Sequence, residues 1–189
     1  MNRKEAMFKF ANYLKTKNIP FVEDVDAGAM RYTMSYKNYD FAPEGIIESC
    51  IWWFKDVAEI RIYFSERAAE ICKSYPENHA NLYRLFNYIN ANVWTSGYDG
   101  WNNLLYKSSL LYTPRIYMTE DGCCDITMTM MLPYDFYEVA PLETEDFITA
   151  ALPTLMNDLS YSIFLVVSGK YSVDQAIERL KIDMLGENK

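Results

Sequence analysis

Histidine is nearly absent: His79 is the only one in 189 residues, and four cysteines complete the supply of soft ligands. Structural zinc needs about four such groups in recognisable pairs. Cys50, Cys72, Cys123 and Cys124 fall at no ligand spacing with one another or with His79. No metal centre is expected, and no other cofactor is implied. Four cysteines also fall short of the disulfide framework of a small secreted domain. Free thiols in a reducing, cytoplasmic setting are the simpler expectation. The chain has no glycine-rich phosphate loop, Walker sequence, G-x-S-x-G elbow or H-E-x-x-H. No apolar run approaches the length of a membrane span. Arg3, Lys4, Glu5 and Lys9 interrupt MNRKEAMFKFANYL, so this stretch does not read as a signal peptide.

Positive charge is also in deficit. Eighteen Lys and Arg stand against 26 Asp and Glu, a formal net charge of −8. Binding to phosphates relies on clustered Lys and Arg that release counterions. Nucleic acid and anionic membranes are therefore not expected as partners. The excess is uneven: between Ser108 and Gly169 nine acidic residues face Arg115 alone, which accounts for the whole imbalance. Solubility and helix-start chemistry explain such a span. A basic partner is the alternative.

What is abundant is material for a core. Half of the residues are hydrophobic, 16% are aromatic and 23% are charged, the balance of one folded domain. Ala6, Met7, Phe10, Tyr13 and Leu14 recur at helical spacing and predict a first helix that stops at Asn18 and Pro20. FVED and MRYTMSY predict short strands around DAGA. IIESCIWWFKDVAEIRIYF reads as two strands around Lys55-Asp56. In the second, Ala58, Ile60, Ile62 and Phe64 alternate with Glu59, Arg61 and Tyr63, the pattern of a sheet with one buried face. The first is apolar on both faces, which predicts a central strand covered on both sides. SERAAEICKSYPENH gives a short helix or helical turn. Leu82, Leu85, Phe86, Ile89 and Val93 then mark a clear helix.

After a surface excursion, LYTPRIYM and CCDITMTMML flank Thr119-Glu120-Asp121-Gly122, the chemistry of a hairpin turn. Cys124, Ile126, Met128, Met130 and Leu132 are expected to share the inward face, with Cys123 pointing away. Thr144 is positioned to cap a long helix running to Gly169, with Glu145 and Asp146 in its first turn and Pro153 kinking or splitting it. Ser172 and Gln175 form a capping box that opens an extra C-terminal helix over about 173–184. The fold class is thus a single α+β domain, an antiparallel sheet packed by helices, in the order α-β-β-β-β-α-β-β-α-α.

Two stretches carry a family resemblance. LFNYIN at 85–90 has Asn87 and Asn90 in the places of an apolar-Asn-x-apolar-Asn helix. YMTEDGCCDITMTMMLP at 117–133 has a strand, an Asp-Gly turn, an alternating strand and a closing Leu-Pro. Both resemble the YbjN family of bacterial proteins, sometimes labelled sensory-transduction regulators, which have the type III secretion chaperone-like fold. The resemblance implies an α+β domain that dimerises or holds other proteins, and it brings no catalytic residues. The aromatic excursion and the extra C-terminal helix depart from the family pattern.

Individual candidates have plain alternatives. Cys123 and Cys124 could bind soft ions or respond to oxidants, yet neighbours on a strand point to opposite faces. His79 could act as a base, but it stands at the mouth of a helix, where a polar cap or surface role suffices. Asn87 and Asn90 could bind a ligand or could fix nearby backbone by hydrogen bonds. Trp94, Tyr98, Trp101 and Tyr106 are the strongest binding candidates, because large aromatics beside Gly and Asn resemble the inventory of binding surfaces. They could equally fold back as a lid on the sheet. The expectation is a non-enzymatic protein-binding or chaperone-like module that engages a polypeptide or a second copy of itself. A small-molecule binder or enzyme with a pocket beneath residues 94–106 is the alternative.

Overall fold

A computed structural model describes residues 1–35, 42–93 and 114–185. Helix α1 (Arg3–Thr16) begins at a capping box. The Asn2 side chain accepts from the amides of Lys4 and Glu5, while the Glu5 carboxylate accepts from the Asn2 amide at 2.8 Å. Three of the donors that a helix start leaves unpaired are satisfied in this way. The expected apolar stripe of Ala6, Met7, Phe10, Tyr13 and Leu14 is buried, each larger side chain worth about 2 kcal/mol in apolar surface removed from water.

Strands β1 (Phe21–Asp24), β2 (Ala29–Ser35), β3 (Ile46–Trp53) and β4 (Val57–Phe64) form consecutive antiparallel pairs. Strand β6 (Ile126–Pro133) pairs with β4, and β5 (Arg115–Met118) lies outside it, so the sheet order is β1-β2-β3-β4-β6-β5. Between β4 and β5 run α2 (Glu66–Lys73) and α3 (His79–Asn92). After β6 come two short helices, α4 (Tyr134–Val139) and α5 (Pro141–Asp146), then a π-helical turn over Phe147–Ala151, α6 (Leu152–Val167) and α7 (Val173–Leu185). The α+β class is as the pattern predicts, with α4 and α5 as additions to the expected order and with the short helix or helical turn read after β4 formed as α2. The Ser172–Gln175 capping box forms as read, with the Ser172 amide on the Gln175 side chain at 2.9 Å and the Gln175 amide on the Ser172 hydroxyl at 3.2 Å.

All the described long helices bury their apolar faces in one cluster with one face of the sheet. That face comprises Met30 and Tyr32 of β2, Ile47, Ile51 and Trp53 of β3, and Ala58, Ile60, Ile62 and Phe64 of β4. Ile116, Met118, Ile126, Met128, Met130 and Leu132 continue it onto β5 and β6. Two layers are enough to close such a domain. Strand β3 is central, as expected, and among the described residues helices cover only one of its faces. Its second row, Ile46, Glu48, Cys50 and Trp52, lies outside the core cluster.

Two local expectations are corrected. Strand β6 begins at Ile126 rather than Cys123, because Cys124 takes a left-handed conformation with φ of 57°. Cys124 therefore belongs to the turn rather than the strand, yet it is half-buried and packs against the core as expected, with Cys123 exposed. Thr144 does not cap the long helix: it sits inside α5, and its hydroxyl donates to the Ala140 carbonyl. The helix runs on through a π-helical turn upstream of Pro153 rather than stopping there. The Leu152 amide reaches past Ile148 to the Phe147 carbonyl, and Pro153 has no amide hydrogen to offer. The Ile148 carbonyl is left over, and the Tyr32 hydroxyl donates to it at 3.3 Å.

The run Pro141–Val167 is long and apolar enough to cross a membrane, with hydropathy 1.3 in its most apolar window, but 61% of that window is buried inside the fold. Such burial is what the central helix of a packed domain shows.

Candidate functional site

The sheet face that carries no described helix is where the unassigned chemistry collects. Side chains alternate across a strand, so burying Ala58, Ile60, Ile62 and Phe64 turns Glu59, Arg61 and Tyr63 outward. Register then sets their neighbours. Arg31 lies opposite Cys50, Cys50 opposite Arg61, Arg61 opposite Thr129, and Thr129 opposite Arg115. Three arginines thus stand in one row across β2, β4 and β5. On one side of this row Trp52, Glu59 and Met131 are aligned; on the other stand Glu48, Tyr63, Thr127 and Tyr117.

Cys50 and Thr127 are only 5% and 4% exposed although they face away from the core. Both are small, and each is flanked by long side chains: Arg31 and Arg61 beside the thiol, Tyr63 and Tyr117 beside the hydroxyl. Cys50 lies opposite Arg31 across β2 and β3, and with nearby Tyr63 and Glu48 it holds the Arg31 guanidinium above its ordinary pKa. Burial pushes the Tyr63 phenol up to about 12, with Glu48 and Cys50 adding to the rise and Arg31 opposing it. Arg61 is held by Glu59 through two hydrogen bonds of 2.9 and 3.1 Å, and Thr129 donates to the Ile60 carbonyl at 3.2 Å. An ion pair this exposed contributes little to stability. Its fork geometry fixes where the guanidinium points.

Trp, Tyr, Arg and Met are the residues enriched at protein interfaces. Here Arg31, Arg115 and Met131 are exposed, while Trp52, Arg61, Tyr63 and Tyr117 are half-buried. The signal in the sequence was the non-core parity of each strand. That no described helix covers this parity depends on strand order and helix placement, which periodicity does not specify.

The other candidates are separated. Trp94, Tyr98, Trp101 and Tyr106 lie outside the described residues. Asn87 is exposed on α3, whereas Asn90 bonds both backbone groups of Ile116. His79 opens α3, and its Nε2 lies 3.0 Å from the Cys72 carbonyl. Cys123 is exposed in the β5–β6 turn, where the Asp121 carboxylate accepts from its amide at 2.9 Å. That bond holds Asp121 below the usual carboxylate range. The carboxylate in turn raises the Cys123 thiol, the opposite of what a reactive thiol needs. Among the described residues no three His, Cys, Asp or Glu side chains meet in a way that could hold a metal ion.

A second polar cluster lies where α1 meets α5 and the π-helical turn. The Tyr137 hydroxyl donates to Glu145 at 2.6 Å; the Tyr13 hydroxyl donates to Asp146 at 2.8 Å and lies 2.9 Å from the Thr149 hydroxyl. Lys9 and Lys17 stand over the rings of Tyr137 and Tyr13. Desolvation raises both Glu145 and Tyr137. Tyr137 is fully buried and Glu145 is 3% exposed, so that pair joins helices within the fold, while Asp146 reaches the surface. An open groove of about 460 Å³ runs along α7, lined by Tyr171, Asp174, Gln175, Glu178, Arg179 and Ile182.

Neither family models, curated proteins nor solved structures give a match to this chain.

Proposed function

We propose that this chain is a protein-binding module that works by association rather than catalysis, through the sheet face that no described helix covers. The observation that carries this reading is the composition of that face: Trp52, Tyr63, Tyr117 and Met131 around Arg31, Arg61 and Arg115, on a rigid six-stranded support. Aromatics give contact area at low entropic cost, and arginine adds directional hydrogen bonds. A chaperone-like or regulatory role in a bacterial cytoplasm, in the manner of the YbjN family, fits both this surface and the two stretches of resemblance.

The test is to replace Trp52 and Tyr117 together with Ala and to capture partners from the native cell extract. The double variant should keep its circular dichroism spectrum and lose the polypeptides that the wild type retains. A variant at Phe8, 69% exposed on α1, should retain them. Equal retention by all three proteins would reject the sheet face as the binding surface.

A further inference from the structure

The arginine row has a spacing, and the spacing selects a partner. Strands in a sheet lie about 4.8 Å apart. Arg31 and Arg61 are two strands apart, on β2 and β4, and Arg61 and Arg115 are again two apart, because β6 stands between β4 and β5. The row therefore presents guanidinium stems at intervals of roughly 10 Å across the sheet.

We propose that this face docks an acidic amphipathic α-helix of a partner protein, laid across the strands, with one carboxylate per heptad meeting the arginine row. The proposal rests on the protein-binding reading above and adds the class of partner. In an α-helix seven residues advance about 10.5 Å and return to nearly the same side. In an extended strand about 10 Å corresponds to three residues, which places successive side chains on opposite faces. An extended peptide crossing the strands can therefore meet only alternate arginines, whereas a helix repeats the match at all three, at i, i+7 and i+14. Trp52 and Met131 flank the row on one side and Tyr63 and Tyr117 on the other, so apolar residues beside the acidic seam have surfaces to cover. Glu48 and Glu59 share the face, and Arg61 already holds Glu59. The outer arginines, Arg31 and Arg115, are exposed and should contribute most of the discrimination, by complementarity of charge.

The probe is a synthetic helical peptide three heptads long, with Glu at one position of each heptad between Leu and Gln. It is compared with a peptide of equal composition carrying Glu every fifth residue, and with one carrying Lys in place of each Glu. Fluorescence anisotropy against wild type and R31E/R115E reads the affinities. The heptad-Glu peptide should bind wild type about tenfold more tightly than either control, and R31E/R115E should reverse the preference towards the Lys peptide. Equal binding of all three peptides, or none to wild type, overturns the acidic helix. If Trp52 and Tyr117 are nevertheless required for partner capture, the face remains the binding surface and only this partner class fails. If they are not required, both readings fail together.

Discussion

Asn90, on a helix, pairs with Ile116, on a strand, as a neighbouring strand would. Its Nδ2 donates to the Ile116 carbonyl at 3.0 Å, and its Oδ1 accepts from the Ile116 amide at 2.8 Å. Strand β5 is the outermost described strand on this side of the sheet. An open edge is a template for unwanted pairing, and at Ile116 the Asn90 amide occupies both backbone groups that a further strand would use. At the opposite edge β1 is only four residues long and ends in Glu23 and Asp24, which discourages pairing by brevity and charge.

Replacing Asn90 with Ala should therefore cost about 1–3 kcal/mol, as two half-buried backbone groups lose their partners. Equilibrium denaturation measures the loss, and light scattering should show more self-association than in wild type. Unchanged stability would mean that the edge is satisfied by other groups.

Glu145 should give the fold a specific pH dependence. Burial raises its pKa above the ordinary carboxylate value, so the folded state binds the proton more tightly than the unfolded chain does. The stabilisation is fully present below the unfolded value of about 4.3 and is lost as pH rises through the higher folded value. Glu145→Gln keeps an acceptor for the Tyr137 hydroxyl without the charge. At neutral pH the variant should melt above wild type, and the difference should shrink as the pH is lowered. A variant less stable than wild type at neutral pH would contradict this.

Tyr32 should matter because of Pro153. The hydroxyl serves a carbonyl, that of Ile148, which the π-helical turn and the proline leave without an amide. Tyr32→Phe should cost about 1–2 kcal/mol, and the cost should fall in the Pro153→Ala background, where residue 153 regains an amide hydrogen. A double-mutant cycle measures the coupling. Additive effects would separate the two residues.

Cys124 separates the turn from the strand. Its φ of 57° is a conformation that costs a residue with a side chain about 1–2 kcal/mol. Cys124→Gly relieves that strain while giving up a half-buried contact, so the melting temperature should hold or rise. A drop of the size expected for a core residue would mean that its packing against the core outweighs the strain.

Much of the fold is legible in the sequence because its signals are local. The stripe Ala6-Met7-Phe10-Leu14, the alternation from Ala58 to Phe64 and the Ser172–Gln175 box each fit within a few turns or pleats of chain. The α4–α5 corner, the left-handed Cys124 and the π-helical turn are less visible, since each is set by what the segment packs against. Asn90 shows the limit clearly. A backbone-fixing role was one of its two readings, but the partner lies 26 residues away on an edge that exists only once strand order is known. The same holds for the binding face. Glu59, Arg61 and Tyr63 are visible as the polar parity of β4, while their alignment with Arg31, Cys50 and Arg115 follows from register alone.

The central claim, that the sheet face bearing Arg31, Arg61 and Arg115 is the surface that meets other proteins, is tested most directly by site-specific photo-crosslinking in the native cell. A photoreactive side chain replaces Met131, which is 54% exposed on that face, or Phe8, which is 69% exposed on α1. The account predicts discrete polypeptide adducts from position 131, abolished by Arg31→Glu with Arg115→Glu, and none of them from position 8. Adducts of the same partner from position 8 and not from 131 would contradict it.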